Sequence, residues 1–432
     1  MSLNLDPILD APIDARAKGF PHGAPAMRLR DVGARRWNVL RGDLPFPLAV
    51  VRRAAMRHNS AWMRAFAQAS GVAIAPHGKT TMCPQIFARQ LDDGAWGMTV
   101  ANVHQLGICA GLGIRRVIIA NQVVARNDVA RLVDLMRAHP DLSVWFLVDS
   151  IAQLERVVDA AAAFQAGRPL AALLEVGHTG GRTGARTPED ALKIARAIAA
   201  SRTVQLAGIE CYEGLAITGD SDRDTRHVGG LVEAVHAVAS ACDRENLFAD
   251  GEIILSAGGS AVFDIVARDL PQRLSRPVRT VLRSGCYVTH DSGTYERLFE
   301  RVRARSGDPW QSGPGLQPAL EVWSQVQSRP EPGLAILTMG RRDVSYDIEM
   351  PRPLKWFREG GHEQPPRAPA EWRVEKLNDQ HAYLRIPADA DLQVGDLVGC
   401  GISHPCTTFD KWQLLMEVDD DYTVVDALRT FF

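Results

Sequence analysis

Residues 72–81 read Val-Ala-Ile-Ala-Pro-His-Gly-Lys-Thr-Thr, and the interpretation of the whole chain begins from them. The first four residues form a short apolar run after Gly71, which predicts a buried β-strand. His77 and Lys79 follow at once, and a lysine beside a buried strand is unusual because lysine is rarely buried without a partner. Desolvation and neighbouring cations lower the pKa of such an amine and free it to attack a carbonyl carbon. A lysine exposed in a strand-to-helix loop is the alternative.

Short apolar runs alternate with longer amphipathic stretches from residue 71 to about residue 290. Near-continuous hydrophobicity in such runs is typical of parallel strands buried on both faces. Thr187-Pro188-Glu189-Asp190 places an N-cap, a proline and two acids at a helix start. Eight strand–helix units predict an α/β fold of the (β/α)₈ TIM-type barrel, with a doubly wound open sheet as the alternative. The predicted strands are Val72–Ala75, Ala95–Thr99, Val117–Ala120, Val144–Val148, Ala171–Val176, Gln205–Cys211, Ile253–Ser256 and Thr280–Arg283.

After about residue 315 the chain changes to short apolar runs separated by turns, which predict a C-terminal β domain. Pro351–Pro369 is rich in proline, glycine and charge, and it is predicted to be a surface loop. We therefore assign residues 46–315 to the barrel, and residues 1–45 and 316–432 to the β domain. The strands predicted for this domain are Leu316–Gln327, Leu334–Met339, Trp372–Leu377, Ala382–Ile386 and Asp396–Cys400.

Composition excludes several classes of function. The net charge of −2 over 432 residues gives no basic surface for nucleic acid. No apolar stretch approaches the ~20 residues that cross a bilayer, and the first residues lack the pattern of a signal peptide. The seven cysteines are scattered and odd in number, which favours reduced thiols in a cytoplasmic protein over a disulfide framework. We expect a small molecule as the binding partner.

Glycine-rich turns follow the last two predicted strands, where (β/α)₈ barrels often bind phosphate. Gly258-Gly259-Ser260 follows the seventh strand, and Gly285-Cys286-Tyr287 follows the eighth. Glycine lets backbone N–H groups approach an anion without a side chain between them. The two turns therefore predict a phosphate site, and ordinary turn glycines are the alternative.

Two further polar residues follow the fifth and sixth strands. Arg182 lies in the glycine-rich stretch from residue 175 to residue 184, where a rigid loop would let it donate to a phenolate or a ring nitrogen. Tyr212 ends an apolar strand. A solvated loop arginine and a core tyrosine with a wet hydroxyl are the alternatives.

His404-Pro405-Cys406 pairs an imidazole nitrogen with a soft thiolate late in the β domain. This donor pair suits zinc, and two ligands from one short loop leave positions open for water and substrate. An open site is typical of a catalytic metal, and no CxxC pair elsewhere in the chain completes a closed structural site. A packed histidine beside a buried cysteine is the alternative.

Together these motifs resemble the fold-type III pyridoxal 5′-phosphate enzymes, and among them the family of D-serine dehydratase and D-threonine aldolase. His77-Gly78-Lys79-Thr80 resembles the family's His-x-Lys-Thr, whose lysine holds the cofactor covalently. Arg182 and Tyr212 are similar to the residues beside the cofactor's phenolic oxygen and pyridine nitrogen, although the loop around Arg182 carries an extra residue. The glycine turns match the phosphate loops, and His404 and Cys406 match the metal pair. The resemblance implies a homodimer in which each β domain closes the other subunit's barrel.

The resemblance implies a lyase of D-β-hydroxy amino acids that uses pyridoxal phosphate and zinc. Lys79 would act as the base at Cα, with His77 as a second catalytic residue beside it. Zinc on His404 and Cys406 would help the β-hydroxyl leave, and the product would hydrolyse to a 2-keto acid and ammonia. The His-x-Cys pair favours this dehydratase over D-threonine aldolase-type cleavage of the Cα–Cβ bond. A racemase of the same fold is a further alternative, as is a pyridoxal phosphate carrier, whose members lack a C-terminal β domain.

Overall fold

The structure, a computed structural model, describes residues 3–214, 217–307, 310 and 312–432. A short helix and a two-stranded antiparallel hairpin precede the first longer strand. These elements are α1 (Asp6–Leu9), β1 (Pro12–Ile13), β2 (Met27–Arg28) and β3 (Leu48–Arg52). The N-terminal segment packs on the C-terminal part of the chain, because Lys18 Nζ lies 2.5 Å from Asp343 Oδ1 and the Val39 N–H donates to the Tyr422 carbonyl at 3.1 Å.

Eight parallel strands follow one another around a closed ring. The first and second strands of the ring are joined by backbone hydrogen bonds from Trp96 N–H to the Ile74 carbonyl at 2.8 Å and from Thr99 N–H to the Pro76 carbonyl at 2.9 Å. Closure confirms the (β/α)₈ barrel and rules out the open sheet. The strands are β4 (Ala73–Ile74), β5 (Met98–Val100), β6 (Arg116–Gln122), β7 (Ser143–Val148), β8 (Leu170–Val176), β9 (Val204–Cys211), β10 (Ile253–Ala257) and β11 (Val278–Leu282).

The barrel helix α7 buries one apolar face, which consists of Ala191, Ile194, Ala195 and Ile198. Thr187 caps this helix by accepting the Asp190 N–H at 3.1 Å, which is the helix start that the sequence indicates. None of the helices in the described part of the chain has both the length and the apolarity to cross a membrane. The helices are α2 (Arg53–Ala69), α3 (Pro84–Asp92), α4 (Val103–Gly111), α5 (Arg126–Ala138), α6 (Ile151–Ala163), α7 (Pro188–Ala200), α8 (Ser221–Arg244), α9 (Phe263–Asp269) and α10 (Thr294–Ser306).

The C-terminal part of the chain forms a mostly antiparallel sheet around one long strand, β12, which pairs with β3, β13 and β17. The β domain expected from the sequence is therefore present, and it includes β3 from the segment that we assigned to the barrel. The remaining elements are β12 (Leu320–Glu331), β13 (Leu334–Leu337), β14 (Arg352–Phe357), β15 (Arg373–Leu377), β16 (Ala382–Arg385), β17 (Leu397–Gly401), α11 (Cys406–Phe409), β18 (Leu414–Val418) and β19 (Val424–Arg429).

One prediction for this domain was wrong. Pro351–Pro369 is not a loop throughout, because β14 lies within it and pairs with β17. Pro353 is tolerated in β14 because it lies near the start of the strand, at a register shift between Pro353 and Lys355 in the pairing with β17, and an irregularity of this kind accommodates a proline. The two last strands, β18 and β19, were not predicted either.

A buried carboxylate anchors the β domain on the barrel helices. Glu417 in β18 accepts from Arg89 Nη1 at 2.6 Å and Nη2 at 2.7 Å, and from Arg53 Nη2 at 3.2 Å. Burial alone would raise the pKa of Glu417, but the hydrogen bonds from Arg89 and Arg53 lower it below its usual value. This contact ties β18 to α2 and α3, the helices on either side of β4.

Candidate active site

Lys79 lies just beyond the carboxyl end of β4, in a short 3₁₀ helix over Gly78–Thr80 that we call the lysine turn. Gly78 and Thr80 are buried, whereas the Lys79 side chain is exposed. A Cβ on Gly78 would lie 2.9 Å from Phe87 Cζ, so the turn needs glycine to pack this closely. The chain itself does not desolvate Lys79, contrary to the expectation from its neighbourhood, and the amine is presented in the open.

His77 enters the lysine turn through a parallel bridge to Thr99, beside β5. Burial, and then the positive charges of Lys79 and Arg283, lower the pKa of His77 well below its usual range. The imidazole is therefore neutral at physiological pH. Its Nδ1 is buried and has no hydrogen-bond partner among the described residues. A neutral ring with one unpartnered nitrogen is suited to a hydrogen bond with a bound molecule.

The glycine turn after β10 holds a carboxylate of the protein itself. Glu213 accepts from the Gly259 N–H at 2.5 Å and from the Gly258 N–H at 3.3 Å. A Cβ on Gly259 would lie 2.3 Å from Glu213 Oε1, so glycine is required for this approach. Two amides of this turn are therefore already satisfied by a side chain of the same chain. A phosphate contact by Gly258 and Gly259 stays a prediction.

The turn after β11 lies directly against the lysine turn. A Cβ on Gly285 would lie 2.5 Å from the His77 carbonyl oxygen and 2.7 Å from Thr80 Oγ1. The N–H groups of Ser260 and Cys286 donate to no acceptor in the described residues, which leaves two amides for an anion. Tyr287 is buried, and its hydroxyl accepts from Gln90 Nε2 in α3 at 3.1 Å, so its side chain belongs to the packing between barrel elements.

Arg182 and Tyr212, which the sequence places after different strands, are brought together. The guanidinium carbon of Arg182 lies 5.0 Å from the centre of the Tyr212 ring, within the range of a cation–π contact. The loop that carries Arg182 is fixed by Arg186, which donates to the Thr183 carbonyl at 2.6 Å and to the Gly181 carbonyl at 2.7 Å. The loop is therefore rigid around an exposed arginine.

A buried acidic cluster lies at the strand ends beside these residues, and we did not predict it. Glu210 forms an ion pair with Arg283, whose other amino group donates to the Cys211 carbonyl at 3.0 Å. Burial, and then the charge of Glu210, raise the pKa of Glu175 to about 7. The sequence signal was available, since Glu175 and Glu210 interrupt runs that are otherwise apolar. Charges in such runs are seldom buried without a structural or catalytic reason.

His404 lies in the loop between β17 and α11, Cys406 is the first residue of α11, and the pair reaches the lysine turn of its own chain. Cys406 Sγ lies 3.5 Å from Thr80 Oγ1 and 3.7 Å from Cys286 Sγ. The predicted metal pair and the predicted cofactor lysine therefore share one site, although they are more than 300 residues apart. Closure of the barrel by a partner subunit stays a prediction.

Asp347 is a functional candidate that the sequence did not reveal. Its Oδ2 lies 2.5 Å from His404 Nδ1, and its Oδ1 accepts from the Thr407 hydroxyl at 2.8 Å. A histidine that binds metal through one nitrogen usually donates its other N–H to such a carboxylate. Burial opposes the charged form, yet contacts with Cys406 and Asp347 raise the pKa of His404 to about 9.

The two thiols at the site differ in acidity. A hydrogen bond with Cys286, together with His404, lowers the pKa of Cys406 well below its usual value. The same contact, together with burial, raises the pKa of Cys286. Cys406 is therefore the more acidic of the two thiols. Across the described ranges, no three His, Cys, Asp or Glu side chains converge on one point as a formed metal centre.

Both parts of the chain match known families. "Alanine racemase, N-terminal domain" matches residues 51–298, and "Putative serine dehydratase domain" matches residues 319–418. A D-threonine aldolase of Arthrobacter sp. is 27% identical over 377 residues, which are 87% of this chain and 89% of that protein. A D-threo-3-hydroxyaspartate dehydratase of Delftia sp. (strain HT23) is 26% identical over 250 residues, which cover 52% of this chain and 63% of that protein.

The fold is shared with solved structures. The crystal structure of D-threonine aldolase from Filomicrobium marinum superposes with a TM-score of 0.72 at 22% identity, over 90% of this chain and 95% of that chain. D-threo-3-hydroxyaspartate dehydratase has also been solved as a cysteine-to-alanine variant in the metal-free form, with a TM-score of 0.68 at 20% identity, over 90% of this chain and 98% of that chain.

Proposed function

The chain belongs to the fold-type III pyridoxal phosphate family, with an alanine racemase-like barrel and a serine dehydratase-like domain, and on this basis we propose that it is a zinc-dependent dehydratase of D-β-hydroxy amino acids. The products would be a 2-keto acid and ammonia. One observation carries the proposal. The 3.5 Å contact between Cys406 Sγ and Thr80 Oγ1 brings the His404–Cys406 pair beside the turn that carries Lys79. This supports a substrate whose Cα would face the Lys79 amine and whose β-hydroxyl would face the pair.

The residues at the lysine turn fit pyridoxal phosphate. The free N–H groups of Ser260 and Cys286 would hold the phosphate, and the exposed amine of Lys79 would hold the aldehyde carbon. The cofactor supplies an electron sink for the bond that breaks at Cα. Lys79 would take the Cα proton, and a neutral His77 with its free Nδ1 would hydrogen-bond the bound molecule without adding charge.

The donor set at the second half of the site fits zinc. His404 offers an imidazole nitrogen and Cys406 a thiolate, while Asp347 fixes the ring of His404 through Nδ1. Zinc supplies a Lewis acid that makes the β-hydroxyl a better leaving group. His404 and Cys406 would thereby orient the hydroxyl end of the substrate, and Lys79 would remove the proton from Cα. Elimination of water needs both actions on adjacent carbons.

A retro-aldol cleavage is the second candidate, because the chain is 27% identical to a D-threonine aldolase over 87% of its length. The same side chains would serve it, but the hydroxyl would lose its proton and the Cα–Cβ bond would break. The thiolate in the metal pair supports the dehydratase. The dehydratase relative, of which a cysteine-to-alanine variant is known in the metal-free form, adds to that support.

The test is a substrate panel of D-serine, D-threonine and D-3-hydroxyaspartate, with ammonia and aldehyde measured in parallel. We expect ammonia and keto acid in equal amounts without aldehyde, and we expect a chelator to abolish turnover while the cofactor absorbance is unchanged. Aldehyde and an amino acid product without ammonia would establish the aldolase instead. Ammonia or aldehyde release that survives complete removal of metal would contradict the zinc part of the proposal. Absence of both products together with metal-independent inversion of D-alanine would favour a racemase.

A further inference from the structure

A second thiol stands beside the metal pair. Cys286 lies in the 3₁₀ helix over Cys286–Val288 at the end of β11, and its sulfur is 3.7 Å from Cys406 Sγ. Both sulfurs face Thr80 Oγ1, at 3.9 Å and 3.5 Å. The two cysteines come from different domains, so the contact exists only because the β domain is seated on the barrel.

We propose that Cys286 is a third protein ligand of the metal held by His404 and Cys406. The assignment rests on the proposed function for the presence of a metal, and it extends that function by naming the coordination. Two thiolates at about 2.3 Å from a tetrahedral zinc ion are about 3.8 Å apart, by the geometry of the tetrahedron. The two sulfurs already lie at this separation. For all three side chains to bind one ion, the imidazole of His404 must still move towards the two sulfurs.

Charge favours the assignment as well. A neutral imidazole and one thiolate leave the zinc coordination sphere with a net charge of +1, and a second thiolate, formed when the metal displaces the Cys286 proton, makes that sphere neutral. The partly exposed Asp347 carboxylate lies behind His404 and outside this sphere. Cys286 is buried, and Lys79, Arg182 and Arg283 all act electrostatically on His77 close by. A cation in such a place is costly unless further negative ligands compensate for it. A His-Cys₂ set also keeps the fourth position open, as in catalytic zinc sites.

The role is compatible with phosphate binding by the same residue. The phosphate contact predicted for Cys286 uses its backbone N–H, and the metal contact uses its sulfur. Cys400 is buried in β17, and its sulfur makes no hydrogen bond with His404 or Cys406 among the described residues. Cys400 therefore provides a matched control for the removal of one buried thiol.

The experiment is X-ray absorption at the zinc edge of the holoenzyme, which counts sulfur neighbours at about 2.3 Å. We expect two sulfurs per zinc in the wild-type enzyme and in Cys400→Ser, and one in Cys286→Ser. Zinc affinity, measured by competition with a chelator, should fall at least tenfold in Cys286→Ser. One sulfur per zinc in the wild type would overturn the assignment and leave the proposed function intact. Absence of bound zinc would overturn the assignment together with the metal part of the proposed function. The wild-type count decides even if Cys286→Ser fails to fold.

Discussion

The contact between Asp347 and His404 gives a quantitative prediction for metal affinity. Asp347 Oδ2 lies 2.5 Å from His404 Nδ1, so the carboxylate holds the N–H of one ring nitrogen and leaves the other for the metal. Asp347→Asn keeps the shape of the side chain but removes its charge. The amide can present its NH₂ group to the ring, and the histidine would then lose both its orientation and its enhanced basicity.

The exposure of Asp347 determines how large the loss of zinc affinity in Asp347→Asn should be. Loss of a carboxylate behind a metal-binding histidine typically lowers metal affinity by about 10- to 100-fold. The Asp347 side chain is 43% exposed, so water screens its charge and replaces part of its hydrogen bonding. We therefore expect the lower end, about tenfold weaker zinc binding, which corresponds to about 1.4 kcal/mol.

Competition between the enzyme and a chromophoric chelator measures this change directly, without reference to turnover. Asp410→Asn is the matched control, because Asp410 is also 43% exposed, lies at the end of α11 and loses the same charge. We expect zinc affinity in Asp410→Asn to stay within about twofold of the wild type, since the structure shows no contact between Asp410 and His404. Equal affinity in Asp347→Asn and the wild type, or equal losses in both variants, would refute the argument that a directed hydrogen bond is responsible.

The remaining predictions concern the cofactor lysine and the seating of the β domain. Lys79→Ala should lose the cofactor label that borohydride reduction fixes to the wild-type protein; peptide mapping that finds the label on another lysine would contradict the assignment. Glu417→Gln should lower the free energy of unfolding by about 3 kcal/mol, the low end for a broken buried pair, because the arginines it faces are partly exposed. The pKa of Glu417 is lowered by its partners, so this stabilisation is complete above the pKa of the unfolded chain and is lost as the pH falls through the folded pKa. Urea unfolding at pH 7 and pH 4 checks both points, with the exposed pair partner Glu375→Gln as the control, expected below about 1 kcal/mol.

The barrel was predictable because its strands are buried on both faces and read as apolar runs. The β domain was less predictable, since β14 carries a proline at a register shift in its pairing with β17, and its sequence therefore looks like a loop. The spacing of turns predicted that a β domain is present, but it did not predict the strands β18 and β19. The sheet also takes in β3, whose partners β12 and β18 lie more than 260 residues further along the chain. No local pattern encodes such pairing.

The residues of the candidate site also fall into those that the sequence indicates and those that only the structure reveals. Lys79, His404 and Cys406 could be found because short motifs display their chemistry within a few residues. Asp347 could not be found, because its partner His404 is 57 residues away and nothing around Asp347 signals a metal. The sequence left open whether Lys79 is buried or exposed, because this depends on how the 3₁₀ turn directs the side chain; the structure shows it exposed beside the buried Thr80. Short sequence motifs identify candidate reactive side chains, whereas tertiary contacts determine the burial and the hydrogen-bond partners of those side chains.

The lysine turn explains why these separate motifs act as one unit. Its flank at His77 touches Gly285 of the last strand's turn, and Thr80 touches Cys406 of the β domain. The Lys79 amine, the turn at Gly285 and the His404–Cys406 pair are therefore tied to one short stretch of backbone. A change that shifts this stretch by a few tenths of an ångström alters all three at once, so substitutions at these positions should not combine additively. That coupling fits the proposed dehydratase, because elimination needs proton removal at Cα and hydroxyl departure at Cβ to be aligned on the same substrate.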